Sequence, residues 1–264
     1  MLNVTPDSFS DGGNFLSPID AVARAKRMLA DGADVIEVGG ESTRPGATPV
    51  DADAEIARVV PVIGAIRDGS PDARIAVDTV KSEVAQAALD AGATIVNDVS
   101  ALRLDQRIAR VAADAGATLV LMHSRGTVAD MARFDHADYP RGVMDAIIAE
   151  LGDAAARAME TGVPRERIVL DPGIGFSKRG SDSVTALAEL PRLVELGFAV
   201  MVGASRKRFI GEITGVQVAA ERDAGTIGAH VAALMLGASW IRAHEIRMHR
   251  QALDVAAAIL EARG

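Results

Sequence analysis

The sequence predicts an α/β fold of the (β/α)8 TIM-barrel class, with an active site at the C-terminal ends of its strands, on three observations. Eight apolar runs alternate with eight helical patterns along 264 residues. Most of the runs lack polar alternation, as expected of parallel strands covered by helices. A short stop recurs ahead of strands: Asp31-Gly32-Ala33, Ala91-Gly92-Ala93, Ala115-Gly116-Ala117 and Leu236-Gly237-Ala238, each a glycine that ends a helix directly before the next strand. The rival is a doubly wound sheet, but no glycine-rich dinucleotide fingerprint follows the first strand.

Taken in order, strands are expected at 1–4, 34–38, 74–77, 94–96, 118–122, 168–170, 199–202 and 239–242. Helices are expected near 18–30, 51–67, 82–91, 106–115, 140–161, 183–196, 219–236 and 248–262. Loops leading into strands are short. Those leaving strands 1, 2, 5, 6 and 7 are long and rich in Gly, Pro, Ser, Asp and Arg. In such a barrel all strand-exit loops share one face, where active sites form. No linker, low-complexity tract or second domain interrupts residues 1–264, so a single domain is expected.

Composition narrows the function. Lys and Arg number 28 against 36 Asp and Glu, a net charge of −8 without a basic run. That argues against a nucleic-acid binder but leaves room for a small anion met by local cations. There is no cysteine, hence no disulfide or thiolate chemistry. No apolar run reaches about 18 residues, so no transmembrane helix is expected. Residues 1–11 are polar and lack a signal-peptide pattern, so a soluble cytoplasmic protein is expected.

Each predicted strand leads to polar groups. Asn3 ends the first, before Thr5-Pro6-Asp7-Ser8-Phe9-Ser10-Asp11-Gly12-Gly13. The second carries Glu37 and leads into Gly39-Gly40-Glu41-Ser42-Thr43-Arg44-Pro45-Gly46. Asp78 ends the third, Asn97-Asp98 the fourth and Met122-His123 the fifth, and Asp171-Pro172-Gly173-Ile174-Gly175-Phe176 leaves the sixth. After the seventh comes Gly203-Ala204-Ser205-Arg206-Lys207-Arg208, read as a turn with Ser205 at a helix N-cap and cations beside it. Arg242 and His244 follow the eighth. One polar strand end is usually a cap or turn residue. A polar group at every exit of one face is hard to explain by capping alone.

Together these stretches resemble the dihydropteroate synthase family of the folate pathway. Residues 2–13, 39–46, 171–176 and 205–211 look like its signatures, in the family's order and across essentially the whole chain. The resemblance implies that the amine of p-aminobenzoate displaces pyrophosphate from 6-hydroxymethyl-7,8-dihydropterin pyrophosphate, giving 7,8-dihydropteroate. It assigns the pterin to Asp78, Asn97, Met122, Asp171, Phe176 and Lys207, whose carboxylates, amide and ammonium suit a flat heterocycle rich in donors and acceptors. It assigns p-aminobenzoate to Phe9, Thr43, Arg44, Pro45 and Ser205, and pyrophosphate to Asn3, Arg242 and His244. Catalytic duties would fall to Lys207, Asp171, Arg44 and Asp11, the last two ordering mobile lids that keep water from a developing cation. Mg²⁺ is the implied cofactor, with Asn3 as its protein ligand beside the pyrophosphate oxygens. No general base is needed, because an aniline amine is neutral and nucleophilic. The partners implied are the two small-molecule substrates and a second copy of the chain, the helix at 219–236 offering an apolar face; neither nucleic acid nor membrane is expected.

The chain departs from the family pattern in places. It begins almost at the first signature, so either strand 1 is expected to be very short or the sequence starts inside a longer natural one. Glu37 stands where Asp is common and Val128 where Pro is frequent, and Ser177 and residues 179–183 differ in loops expected to be peripheral. His136, His230 and His249 read as surface or helix positions without a role. Three other functions fit parts of the pattern. A non-catalytic pterin-binding relative would be expected to have damaged lids. A pterin-dependent methyltransferase would not be expected to carry Thr43-Arg44-Pro45 and Ser205-Arg206-Lys207 together. A metal-dependent hydrolase would want a His-x-His pair after strand 1, which is absent.

Overall fold

A computed structural model describes residues 1–4, 18–43 and 48–263. Its centre is a curled sheet of eight parallel strands in sequence order: β1 (Leu2–Asn3), β2 (Val35–Gly39), β3 (Arg74–Asp78), β4 (Ile95–Asp98), β5 (Thr118–Met122), β6 (Ile168–Asp171), β7 (Ala199–Val202) and β8 (Trp240–Ile241). Helices cover the outside: α1 (Pro18–Ala30), α2 (Ala52–Gly69), α3 (Ser82–Asp90), α4 (Arg107–Asp114), α5 (Val143–Thr161), α6 (Gly180–Ala188), α7 (Leu190–Val194), α8 (Arg208–Thr214), α9 (Asp223–Met235) and α10 (Ile246–Glu261). The closed barrel expected from the sequence is corrected to an open one. Each strand pairs with the next, but no ladder joins β8 to β1 among the described residues. Both end strands hold only two residues and so offer few backbone groups for a ladder. The seam opens on a cavity of about 470 Å³ lined by Met1, Glu37, Asn97, Met201, Trp240 and Arg242, among others.

Parallel strands alternate inward and outward side chains, and in the middle of β3 to β6 both sets are apolar. Outward residues such as Ile36, Val77, Val96, Leu121, Leu170 and Val202 pack under the helices. Full burial of such a side chain contributes roughly 1.5–3 kcal/mol. Inward residues Ala76, Ile95, Val120, Val169 and Met201 fill the lower barrel. Two positions further along β3, β4, β5 and β6 come Asp78, Asn97, Met122 and Asp171, and Glu37 of β2 reaches up from one row lower, opposite Ala76; all five are buried. The register aligns Asn3, Gly39, Asp78 and Asn97 in one row, and Met122 with Asp171. An apolar plug thus carries a polar layer on top.

The four glycine stops end helices as the sequence predicts. Gly32, Gly92, Gly116 and Gly237 all have positive φ, and the N–H of each following alanine donates to a carbonyl five residues back. Other boundaries differ. The helix expected at 183–196 is two, α6 and α7, because Pro191 at a first turn cannot continue the preceding one. The helix expected at 219–236 is a single 3₁₀ turn, Ala219–Glu221, followed by α9. The break falls at Arg222, whose guanidinium is drawn off to the carbonyls of Val216 (2.9 Å), Gln217 (2.7 Å) and Arg206 (3.1 Å).

After β4 the chain turns through Ala101 and Leu102, both at positive φ. Asp98 holds that turn, accepting from Ser100 N at 2.8 Å, Ser100 Oγ at 2.7 Å and Leu102 N at 2.6 Å. Asp98→Ala removes the three side-chain bonds to Ser100 and Leu102 that hold this left-handed turn and is expected to destabilise the fold by about 3 kcal/mol. Urea unfolding of the variant beside the wild type checks this.

Candidate active site

The polar layer is built around Arg242. Its Nε donates to Glu37 Oε2 at 2.6 Å, and one Nη donates to Glu37 Oε1 at 2.9 Å and Asp78 Oδ2 at 2.9 Å. The same nitrogen lies 2.9 Å from Met1 Sδ, bridging the seam. Asn97 Nδ2 donates to Glu37 Oε1 at 2.8 Å. Four strand ends therefore share one network. Burial works to raise the Glu37 carboxyl, but the charge and bonds of Arg242 hold it below the usual range. Asp78 is left with the opposite fate: burial, then the Glu37 charge, push it up to about 7.

On the far side of the recess, Asp171 accepts from Gly173 N at 2.7 Å. Lys207 Nζ donates to the Ile174 carbonyl and sits 4.6 Å above the Phe176 ring centroid. Burial raises Asp171 against the Lys207 charge, and burial lowers Lys207 to about 8 despite Asp171. Met122 and Phe176 share an apolar cluster with Val80, Val99 and Met131. Asp78, Asn97, Met122, Asp171, Phe176 and Lys207 thus meet at one end of the barrel.

The remaining candidates lie around the rim. Asn3 ends β1, and Thr43 is half-buried in the loop after β2. That loop is latched by Lys81, whose Nζ reaches Glu41 at 2.8 Å and the fully buried Glu55 at 2.6 Å. Ser205 does not cap α8, contrary to the sequence reading. Arg206 takes a left-handed φ of 57°, and Lys207 becomes the N-cap residue. Ser205 Oγ lies instead 2.8 Å from His244 Nδ1. Although His244 is exposed, partial desolvation and then the nearby N-terminus, Arg206 and Arg242 charges hold its ring below the usual imidazole range. Phe9, Asp11, Arg44 and Pro45 lie outside the described residues. Among the described residues, no group of three or more His, Cys, Asp or Glu side chains is arranged to hold a metal. No helix among them is long and apolar enough to cross a membrane.

Comparison with known proteins bears on this site. Residues 1–244 match the family model of pterin binding enzymes. A dihydropteroate synthase of Synechocystis is 42% identical, the match spanning 98% of this chain and 88% of that protein. The chain belongs to the dihydropteroate synthase family. A mitochondrial folate synthesis bifunctional protein of Pisum sativum is 40% identical over 99% of this chain, and the chain spans about half the length of such bifunctional relatives, 53% in that case. The solved Xanthomonas albilineans dihydropteroate synthase with 4-aminobenzoic acid is 41% identical, with a TM-score of 0.89 over 98% of this chain and 91% of that one.

Against the dihydropteroate synthase pattern, two departures gain a physical account. Glu37, where Asp is common, spans the recess to take both edges of the Arg242 fork. Ser177, expected to be peripheral, is fully buried at a φ of 49° and ties two loops together. Its N–H donates to Met131 O at 2.7 Å and its hydroxyl to Arg125 O at 2.9 Å, while Arg125 N donates to that hydroxyl at 3.0 Å. His230 and His249 do lie on helices, but they are buried, and His230 Nε2 accepts from Ala204 N at 3.0 Å. Lys178 is a buried charged residue that sequence reasoning missed; a lysine among Ser, Arg and Gly reads as solvated loop.

The Asp171–Phe176 loop leaves no room for a side chain at Gly173. Its φ is +66°, and an added Cβ would stand 1.9 Å from the His123 carbonyl oxygen. Gly173→Ala is expected to cost about 3 kcal/mol or more. Chemical denaturation reads the loss directly, and wild-type stability would contradict the packing described.

Proposed function

We propose that the chain catalyses the dihydropteroate synthase reaction: the amine of p-aminobenzoate displaces pyrophosphate from 6-hydroxymethyl-7,8-dihydropterin pyrophosphate, giving 7,8-dihydropteroate. The observation that carries this reading is the inward polar layer, where Asp78, Asn97, Asp171 and Lys207 converge above an apolar plug beside the Phe176 ring. A pterin's amino and ring N–H groups find acceptors in the two aspartates and Asn97. Its carbonyl and ring nitrogen find a donor in Lys207. Met122 and Phe176 cover its faces. Rigid strand ends place these groups before the ligand arrives, which limits the entropy lost on binding.

The remaining steps are assigned by position. Thr43 and Ser205, with Phe9, Arg44 and Pro45, would receive p-aminobenzoate from the β2 and β7 sides. The amine nitrogen forms a bond to the pterin methylene as the carbon–oxygen bond breaks. The electron pair leaves with pyrophosphate, and the amine proton passes to solvent or the leaving group. Arg242 and His244 would serve the pyrophosphate at the exit of β8, and Asp11 with Arg44 would order the lids. A single amide oxygen, Asn3, suits Mg²⁺, which binds through few protein oxygens and substrate phosphates. Bound there, Mg²⁺ would neutralise charge on the leaving group.

The reading extends to architecture. A single domain is supported by the Arg242–Met1 contact, which ties the exit of β8 to the start of β1 across the open seam. A homodimer is supported by apolar side chains left exposed on α9 and α10: Met235, Met248, Val255 and Ile259. The last three fall on one face of α10 by their spacing. A cytoplasmic setting suits a chain with no cysteine.

The decisive assay measures pyrophosphate release from the dihydropterin pyrophosphate with Mg²⁺, with and without p-aminobenzoate, following dihydropteroate in parallel. Release is expected to depend on p-aminobenzoate and to match dihydropteroate formed. Lys207→Ala and Asp171→Asn are each expected to lower kcat/KM by about a hundredfold or more. Pterin binding without either product would replace the reading with that of a non-catalytic pterin binder.

A further inference from the structure

We infer that Lys178 is a positioning residue of the pterin recess: its amine clamps the loop after β6 to the exit of β5. The inference rests on the pterin reading of the site.

Lysine is almost never fully buried unless paired, yet Lys178 is 1% exposed. Its Nζ lies 2.7 Å from His123 Nδ1, 3.0 Å from Phe176 O and 3.5 Å from His123 O. These are three acceptors for three N–H groups, and no carboxylate among the described residues is in salt-bridge range. With Nδ1 of His123 accepting from the amine, the ring proton belongs on Nε2, which lies 3.1 Å from a Glu150 carboxylate oxygen without an aligned hydrogen bond to it. Burial holds the imidazole neutral by pulling it down to about 4. Arg125 fixes the outer carboxylate, its Nε 3.2 Å from Glu150 Oε1. A chain of contacts therefore runs from a half-exposed carboxylate on α5, through a neutral imidazole, to a buried amine and the backbone of Phe176.

The clamped segment carries much of the recess. Phe176 supplies a ring, Ile174 supplies the carbonyl that holds Lys207, and Gly173 N–H holds Asp171. Around the amine the charged and titratable groups are Asp171 on β6, Lys207 after β7, Glu150 on α5, and His123 and Arg125 after β5. Asp171 attracts the Lys178 charge while Lys207 repels it, and burial brings the amine down to about 7. Fold stability does not account for the arrangement, since replacing a buried charge by an apolar side chain of similar size is often neutral or stabilising. Ser177 separately anchors the loop to Met131 and Arg125, so the loop keeps its course without the amine. The contribution of Lys178 is the setting of Phe176 and Asp171.

Lys178→Met, made in the full chain, is tested by calorimetric titration with 6-hydroxymethyl-7,8-dihydropterin pyrophosphate. The p-aminobenzoate KM at saturating pterin and the melting midpoint are measured beside it. Pterin affinity is expected to fall roughly tenfold, the loss of a charge-assisted bond network. The p-aminobenzoate KM is expected to stay within about twofold of wild type, and the melting midpoint to hold or rise. Glu150→Gln changes a side chain that is 42% exposed, so it keeps the fold while weakening the outer end of the chain. It is expected to weaken pterin about two- to threefold, non-additively with Lys178→Met. Unchanged pterin affinity in Lys178→Met overturns the inference. So does a lowered melting midpoint with equal loss for both substrates, which marks a structural role. If the Met variant does not fold, Glu150→Gln decides, and wild-type affinity there overturns it. A wild-type chain that binds no pterin at all overturns the site reading itself, and this inference with it.

Discussion

The fork of Arg242 against Glu37 and Asp78 is the constraint on which the site depends. Two carboxylates in one buried layer repel each other, and at hydrogen-bonding range each such interaction is about 4 kcal/mol even at an effective dielectric near 20. The guanidinium offsets this by taking both oxygens of Glu37 and one of Asp78. It also joins β8 to β2 and β3, where the backbone ladder around the barrel is interrupted. The division of labour follows. Glu37, with the better share of the cation, stays ionised. Asp78 holds a proton up to about 7, ready to give it up to a ligand that donates hydrogen bonds.

The two halves of the recess are held differently. On the β5–β6 side, Ser177 and Lys178 lock adjacent loops through backbone carbonyls, so the groups assigned to the pterin are fixed in advance. On the β2 side, the loop is held at its base: Lys81 sits between Glu41 and Glu55, Glu41 also accepts from Val50 N at 2.8 Å, and Arg58 donates to Gly40 O at 2.9 Å. Fixed pterin groups beside loops tethered at their base suit a reaction that binds a rigid heterocycle and then excludes water.

Much of the fold was legible because its signals are local. Glycine stops, strand order and the polar residue at each strand exit depend on neighbours within a few positions, and they reappear in the structure. The pattern at the exits has a simple cause: inward and outward residues alternate, and on β3, β4 and β6 the last inward position stands above the plug. What was not legible depends on distant parts of the chain. Lys178 is buried because His123 and Phe176 come to it from two strands. Ser205 loses the cap position because Arg206 turns left-handed, its N–H donating to Thr226 and its side chain pairing with Asp223 at 2.7 Å. The helix at 219–236 breaks because Arg222 serves carbonyls outside it. The inward turn of Arg242 could not be read either, since nothing in its own surroundings marks Glu37 and Asp78 as partners.

The most direct test of this account is proton release on binding. 6-Hydroxymethyl-7,8-dihydropterin, without its pyrophosphate so that no phosphate titrates, is bound calorimetrically near pH 6.5 in buffers of different ionisation enthalpy. If burial and the Glu37 charge, with Arg242 committed chiefly to Glu37, leave Asp78 protonated in the free chain and the pterin donates to it as a carboxylate, binding releases a proton and the measured heat follows the buffer. Asp78→Asn then removes that dependence. Heat that is independent of buffer in the wild type, or a dependence that survives in Asp78→Asn, contradicts the account.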